Sequence, residues 1–223
     1  MEVMEITWNR RVTHHAQRTL EHHRRNKPCL LPVTDDIVKL SAHLQSQAEN
    51  ATRTLSSTSP LTPLGREAWA SLNETVLSQC IIFNRRRQGE VSKMKMLDYE
   101  KHLKTHEQEN FLSALSPLEK ELCKKLTRVE VEGKRGRCVP VLLTNEMKRS
   151  IDLLLATRRA FGIPEENIFL FPKHSYGSLR HLRGCDCLRG EAEACGAKHP
   201  EFLRSTKLRK QMATIAQVVK LGW

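Results

Sequence analysis

Long hydrophobic runs are missing from this 223-residue chain: no stretch approaches the ~20 consecutive apolar residues that a membrane-spanning helix needs. The opening "MEVMEITWNRRVTHH" has no secretory h-region, so an intracellular protein is expected. No strongly amphipathic Lys-rich helix with bulky apolar residues stands out, which argues against an anionic membrane surface as partner. No internal repeat of useful period is visible, which argues against a solenoid. Aromatic residues are scarce at 5%, and tyrosine occurs only at Tyr99 and Tyr176.

What the chain does contain is cationic charge. Its 37 Lys+Arg against 25 Asp+Glu give +12 and a pI near 9.6. Such a balance favours a polyanionic partner, because neutralising phosphates releases their counterions. A merely solvated basic surface is the alternative that charge alone leaves open. With 39% hydrophobic residues the chain can bury one core. Its seven cysteines are an odd number, mostly within apolar or helical patterns, and read as reduced thiols rather than a disulfide frame.

Along the chain, residues 1–55 comprise a basic, His-rich segment ("EHHRRNKPC") and then a first helix. The histidine pairs at 14–15 and 22–23 belong to the solvated part of it. The helix is expected to start at "TDDIVKLSAHLQ", with Thr34 as cap, Asp35 and Asp36 at the positive end of the dipole, and Ile37, Leu40, Leu44 and Ala48 as apolar stripe. "SSTSPLTPLG" (56–65) is Ser/Thr/Pro-rich and marks the expected domain boundary. A long helix over about 66–87 follows, then one at "SPLEKELCKKL" with Ser116, Pro117 and Glu119 as a capping box. "RVEVEGKRGRCVPVLL" switches to strand, tight basic turn and strand, with Val129 and Val131 alternating before the turn and Val139 and Val141 after it. Thr144 caps the next helix, which Gly162 and Pro164 close. Two more helices are expected at about 178–194 and 206–220. The fold class is mostly α with a small β-hairpin.

The stretch "CIIFNRRRQGEV" (80–91) carries an apolar helix face into three arginines. Trp69, Leu72, Val76, Cys80 and Phe83 step by three and four and mark the buried face; Arg87 continues the series. At ~100° per residue Arg85 lies about 200° from Arg87. Arg85 should therefore be solvated, Arg86 intermediate and Arg87 aimed inward. An inward guanidinium needs an anion, either Glu90 or a bound phosphate. Two further stretches matter. "EGKRGRCVP" projects Lys134, Arg135 and Arg137 from a hairpin tip, where they are either a solvated turn or phosphate contacts. "STKLRKQMAT" starts a helix capped by Ser205 with the stripe Leu208, Met212, Ile215 and Val219; Arg209 sits in its early turns, where free amide N–H groups attract anions. Cys185, Cys187, Cys195 and His199 have only a superficially metal-like spacing, since "CDC" is tighter than structural zinc pairs, and no metal or other cofactor is expected. Cys187 and Cys195 can instead share a buried helical face. His174 and His181 have no assignable role, and Trp8 and Trp223 read as packing residues.

In order and spacing these three stretches resemble the catalytic domain of tyrosine recombinases of the phage-integrase type. "RQGE" is similar to the family's Arg-x-x-Glu box, "GKRGRCVPVLL" to its Gly-Lys hairpin, and "TKLRK" to its His-x-Leu-Arg box. "FNRRRQGEV", "ACGAKHPE" and "STKLRKQMAT" look closer still to the Crypton-type, transposon-derived branch. The resemblance covers about 66–221, and more loosely 28–50. It implies an integrase-like, DNA breaking-rejoining core over 66–223, with 1–55 the remnant of a helical core-binding region or extension. It also implies double-stranded DNA as partner, possible self-association on DNA, and a nuclear location.

Residue by residue, the resemblance implies that Arg87 and Arg209 neutralise the non-bridging oxygens of a scissile phosphate and that Lys134 protonates the leaving 5′-oxygen. Bidentate guanidinium geometry suits the two arginine positions. Arg86, Arg135, Arg137, Lys207 and Lys210 would hold flanking phosphates, and Glu90 and Asp98 would support the first box. Two departures stand out. Thr206 occupies the box-histidine position, and neither tyrosine follows the last arginine box, where the family's Gly-His segment and nucleophile belong. The expectation is a DNA-binding, C-terminally truncated recombinase-like chain without strand-cutting activity. A helical protein-interaction module that has lost its DNA chemistry is the alternative.

Overall fold

The computed structural model describes residues 18–19, 31–58, 62–105, 116, 121, 125–175 and 177–221. The chain divides into the units Met1–Leu30 and Leu31–Trp223. In the first, Arg18 and Thr19 are helical. Among its described residues the second is mostly helical with one two-stranded antiparallel sheet, the class expected from the sequence. The histidine pairs, Trp8, Trp223, Tyr176 and the capping box at 116–119, Ser116 apart, lie outside the described residues.

Helix α1 (Thr34–Ser57) buries Leu40, Leu44 and Ala48 as its apolar spacing dictates, with Ile37 half-buried against the same core. Thr34 does not cap it. Thr34 is already the first helical residue, so its hydroxyl cannot reach the free amides ahead of it, and Val33 precedes it in extended conformation without a side-chain cap. Helix α2 (Pro63–Asn84) packs along α1. It is capped by Thr62, whose hydroxyl accepts from the Gly65 amide at 3.0 Å, and Pro63 occupies the first turn, where no donor is lost. Between the two helices Glu191 accepts from Thr75 at 2.9 Å and lies 3.0 Å from the His43 ring.

Trp69, Leu72, Val76 and Cys80 are buried on α2 as expected, but Phe83 is 43% exposed and the helix ends at Asn84. The Asn84 amide donates to Leu142 O at 2.8 Å and accepts from Leu142 N at 2.7 Å, satisfying a strand edge instead of continuing the helix. Arg85 then takes a left-handed conformation (φ 50°) while its amide still bonds Ile81 O at 3.1 Å. The helical phase therefore stops before Arg87. Arg85 becomes the partly buried arginine and Arg87 an exposed one, the reverse of the periodicity argument.

The Arg85 guanidinium buries Nη1 without a hydrogen-bond partner among the described residues, and burial lowers its pKa from the usual arginine value. A glycine at this position would adopt the left-handed cap without steric cost and remove the unsatisfied group. We therefore expect Arg85→Gly to stabilise the fold by about 1 kcal/mol, raising Tm by roughly 2–4 °C in a thermal melt. A lowered Tm would show that the aliphatic stem of Arg85 contributes more than its strain costs.

Beyond Arg85 come the short helix α3 (Gln88–Ser92) and α4 (Met96–Thr105). The hairpin pairs β1 (Leu126–Glu132) with β2 (Cys138–Thr144), placing Val129 opposite Val141 and Val131 opposite Val139. Val129, Val131 and Val141 are buried and Val139 packs partly against the core. The tip closes through Gly133 N donating to Arg137 O at 2.7 Å. There, Arg135 and Gly136 take φ values of 65° and 70°. Thr144 caps α5 (Asn145–Thr157) as expected, accepting from Met147 N at 3.3 Å, but the helix ends at Thr157, and Gly162 (φ 73°) ends the turns beyond it rather than the helix itself.

The helix expected at about 178 starts later, as α6 (Gly184–Ala194). Its predicted first turns are extended instead, with Lys173 N bonded to Arg180 O at 2.8 Å and Leu182 N to Phe171 O at 2.9 Å. Helix α7 (Ser205–Leu221) begins with Ser205 itself, so Ser205 is inside the helix rather than its cap. Of its expected stripe Leu208 is buried, but Met212 and Ile215 are each 49% exposed, because the helix leaves the core after Gln211; the side chain of Val219 lies outside the described residues.

Candidate functional site

The extended link that follows Arg85 places Arg87 at the start of α3 (φ −67°, ψ 126°). Its side chain is 56% exposed, and Nη1 donates to Glu90 Oε1 at 3.3 Å; the Glu90 side chain is only 10% exposed. Arg87 is thus solvent-facing, held by a carboxylate that is itself nearly enclosed. The hairpin approaches Glu90 at Gly133, where a Cβ would lie in ordinary contact at 3.5 Å from Glu90 Oε1 but only 2.5 Å from Val139 Cγ2, so it is the packing against Val139 that calls for glycine there. Asp98 accepts from Lys95 N at 3.2 Å and so fixes the turn into α4.

Arg209, far along the chain, lies in the early turns of α7 and is half-buried. Arg87 and Arg209 line one hollow of about 720 Å³, and Thr206 lines it with them. Lys93 and Lys95 add cations that the sequence reading missed. Glu90, Asp98 and Glu132 contribute carboxylates, so four cations face three anions. The missed lysines follow Glu90 in "EVSKMK", in the short break between α3 and α4, where neither helical nor strand periodicity runs long enough to be read.

A second hollow of about 290 Å³ adjoins Arg87 and Glu90 and is lined also by Arg135 and Arg137. Arg87 therefore belongs to both cavities. Lys134 lies between Gly133, which lines the larger hollow, and Arg135, which lines the smaller; its side chain lies outside the described residues. Arg86 and Lys210 are exposed, and the Lys207 ammonium sits 4.1 Å over the Phe202 ring.

Tyr99 is remote in character from such a site. It is 2% exposed, its hydroxyl donates to Asp152 at 2.6 Å, and burial together with that carboxylate raises its pKa well above the usual phenol value. Cys187 is buried, with its thiol pushed up to about 12 by desolvation; Cys195 packs partly against the core and donates to Ala192 O at 3.2 Å, while Cys185 is exposed. Among the described residues no group of three or more His, Cys, Asp or Glu side chains is disposed to hold a metal. No described helix is long and apolar enough to cross a membrane.

No family model matches the chain, and no curated protein matches it. Solved structures do. The XerH site-specific recombinase bound to palindromic difH substrate, in a post-cleavage complex, is similar over 82% of this chain and 41% of its own, with TM-score 0.51 and 14% identity. XerH bound to difH substrate in a pre-cleavage complex is similar over 82% of this chain and 42% of its own, with TM-score 0.51 and 13% identity. The chain spans about two-fifths of the length of those recombinase chains. At this identity the likeness defines the fold, which is tyrosine-recombinase-like.

Proposed function

We propose that this protein binds double-stranded DNA as a recombinase-like protein of the Crypton-type, transposon-derived branch, acting in the nucleus and able to self-associate on its duplex. The observation that carries the proposal is the convergence of Arg87 and Arg209 on one hollow from distant parts of the chain. Two guanidinium forks facing one space can share the oxygens of a single phosphate, which point-charge lysines do less well. In this reading Lys134 occupies the proton-donor position, and Arg135 and Arg137, lining the adjoining hollow, take the next phosphate. Arg86, Lys207 and Lys210 contact phosphates further along, and Glu90 and Asp98 hold the first box in shape. In this reading residues 66–223 are the recombinase-like part, 56–65 the link, and 1–55, a basic segment and then a helix, the remnant of a core-binding region or extension.

The same reading assigns no strand cleavage to these 223 residues. Thr206, not histidine, lines the hollow, and Tyr99 is buried against Asp152. A duplex titration at several salt concentrations tests binding: the expected log–log slope is roughly −0.9 per phosphate neutralised, and an affinity insensitive to salt contradicts the proposal. A suicide duplex substrate is expected to trap no covalent adduct; an SDS-resistant protein–DNA species would restore the enzyme reading.

A second reading, a protein-interaction module, is favoured by a groove of about 510 Å³ in which Phe83 and Met212 stand exposed beside Arg85. It predicts that charge reversal at Lys134 and Arg209 leaves function untouched.

A further inference from the structure

Helix α1 carries none of the three basic stretches, yet its N-terminal turn grips the segment that delivers Arg209. Asp36 is 3% exposed, and its two oxygens accept from different main-chain donors, Oδ1 from Lys198 N at 2.9 Å and Oδ2 from His199 N at 3.1 Å. The bond from Lys198 is the main influence lowering its pKa, against the desolvation that opposes it. A few residues upstream of Asp36, Pro32 O accepts from the buried Gln211 Nε2 at 2.9 Å.

These two anchors bracket residues 198–211. Inside the bracket, Leu203 and Leu208 are buried while Thr206 and Arg209 line the hollow. Beyond it, residues 212–217 of α7 are exposed, so Gln211 is the last buried side chain described on that helix. We infer that Asp36 and Gln211 are positioning residues, tying the start of α1 to the 198–211 segment so that the Arg209 guanidinium is held opposite Arg87. The inference deepens the proposed function and rests on it for its meaning. The geometry itself can be tested without DNA.

The chemistry specifies the variant. A carboxylate offers an acceptor to each amide, whereas an asparagine offers one acceptor and turns an NH₂ toward the other N–H. In Asp36→Asn the segment 198–209 is therefore expected to shift while the hairpin and α3 stay in place. In a ¹H–¹⁵N spectrum the Arg209 Nε–H resonance should move and that of Arg87 should not. Movement of both by similar amounts, or of neither, overturns the inference.

Duplex affinity supplies a readout that general destabilisation would not reproduce, measured at a temperature where circular dichroism shows every variant folded. Asp36→Asn should weaken binding about tenfold in the wild-type background, by less in Arg87→Ala, where the phosphate that Arg209 shares is already loosened, and hardly at all in Arg209→Ala, since its effect runs through Arg209. Equal losses in all three backgrounds overturn the inference while leaving the DNA reading intact. Wild-type protein without salt-sensitive binding overturns the DNA reading, and the spectrum alone then decides the positioning claim. If Asp36→Asn fails to fold, Gln211→Met removes the second anchor at similar volume and is expected to give the same pattern.

Discussion

Gly184→Val is expected to destabilise the protein by about 3 kcal/mol or more, a large share of the stability of an ordinary domain. Gly184 opens α6 at a point where a Cβ would lie 2.5 Å from Ile81 Cδ1 and 2.6 Å from Ser92 Oγ. Its amide donates to that same Ser92 hydroxyl at 3.0 Å, and Ser92 in turn donates to Gln88 Oε1 at 3.3 Å. A β-branched side chain would push α6 off α2, where Cys187, Leu188 and Ala192 are buried, and would break a buried hydrogen bond. Alanine is expected to fall between the two, because the Ile81 methyl can yield while the Ser92 bond cannot move far. Thermal melts of the three proteins should rank Gly, Ala, Val. A valine variant melting within a degree or two of wild type would show that α6 does not approach this closely. The consequence reaches the site, since Gln88 and Ser92 belong to the helix that carries Glu90.

Arg209→Glu is expected to lower duplex affinity about a hundredfold at moderate salt with little change in Tm. The substitution converts a hollow lined by four cations and three carboxylates into one lined by three cations and four carboxylates. A phosphate that two guanidinium groups could share then meets repulsion from the new carboxylate on top of that from Glu90, Asp98 and Glu132. Arg209 is only half-buried, so the fold loses little. Arg209→Lys, which keeps the charge and loses the planar fork, should lie between wild type and the reversal. Fluorescence anisotropy with a labelled duplex, with a melt as control, measures both. An Arg209→Glu protein that binds as wild type does would remove α7 from the interface.

Much of the fold was legible because it follows from local rules. The stripe of Leu40, Leu44 and Ala48, the alternation of Val129, Val131 and Val141, and the Thr144 cap all form where residue type and spacing place them. The misjudged places are those where a distant partner decides. The end of α2 depends on Asn84 meeting Leu142, and nothing near Arg85 announces a left-handed arginine, since glycine or asparagine is the usual choice there. Residues 178–183 are drawn into extended pairing by Phe171 and Lys173. Asp36 looks like a first-turn acid suited to the dipole, and its partnership with Lys198 and His199 is visible only in three dimensions.

The site shows the same division. Motif order singled out Arg87 and Arg209, which do line one hollow. Helical phase gave the wrong reason for Arg87, because a periodicity argument is valid only while the helix lasts. Lys93 and Lys95 went unremarked since they face the hollow from irregular chain between two helices.

The central claim is that Arg87 and Arg209 hold one phosphate between them. Following the ¹H–¹⁵N resonances of both guanidinium Nε–H groups during titration with a short duplex tests it most directly. The account predicts that both shift together with a single midpoint, and that removing either arginine weakens the response of the other. Separate midpoints, or a shift at one arginine that ignores the loss of the other, would contradict it.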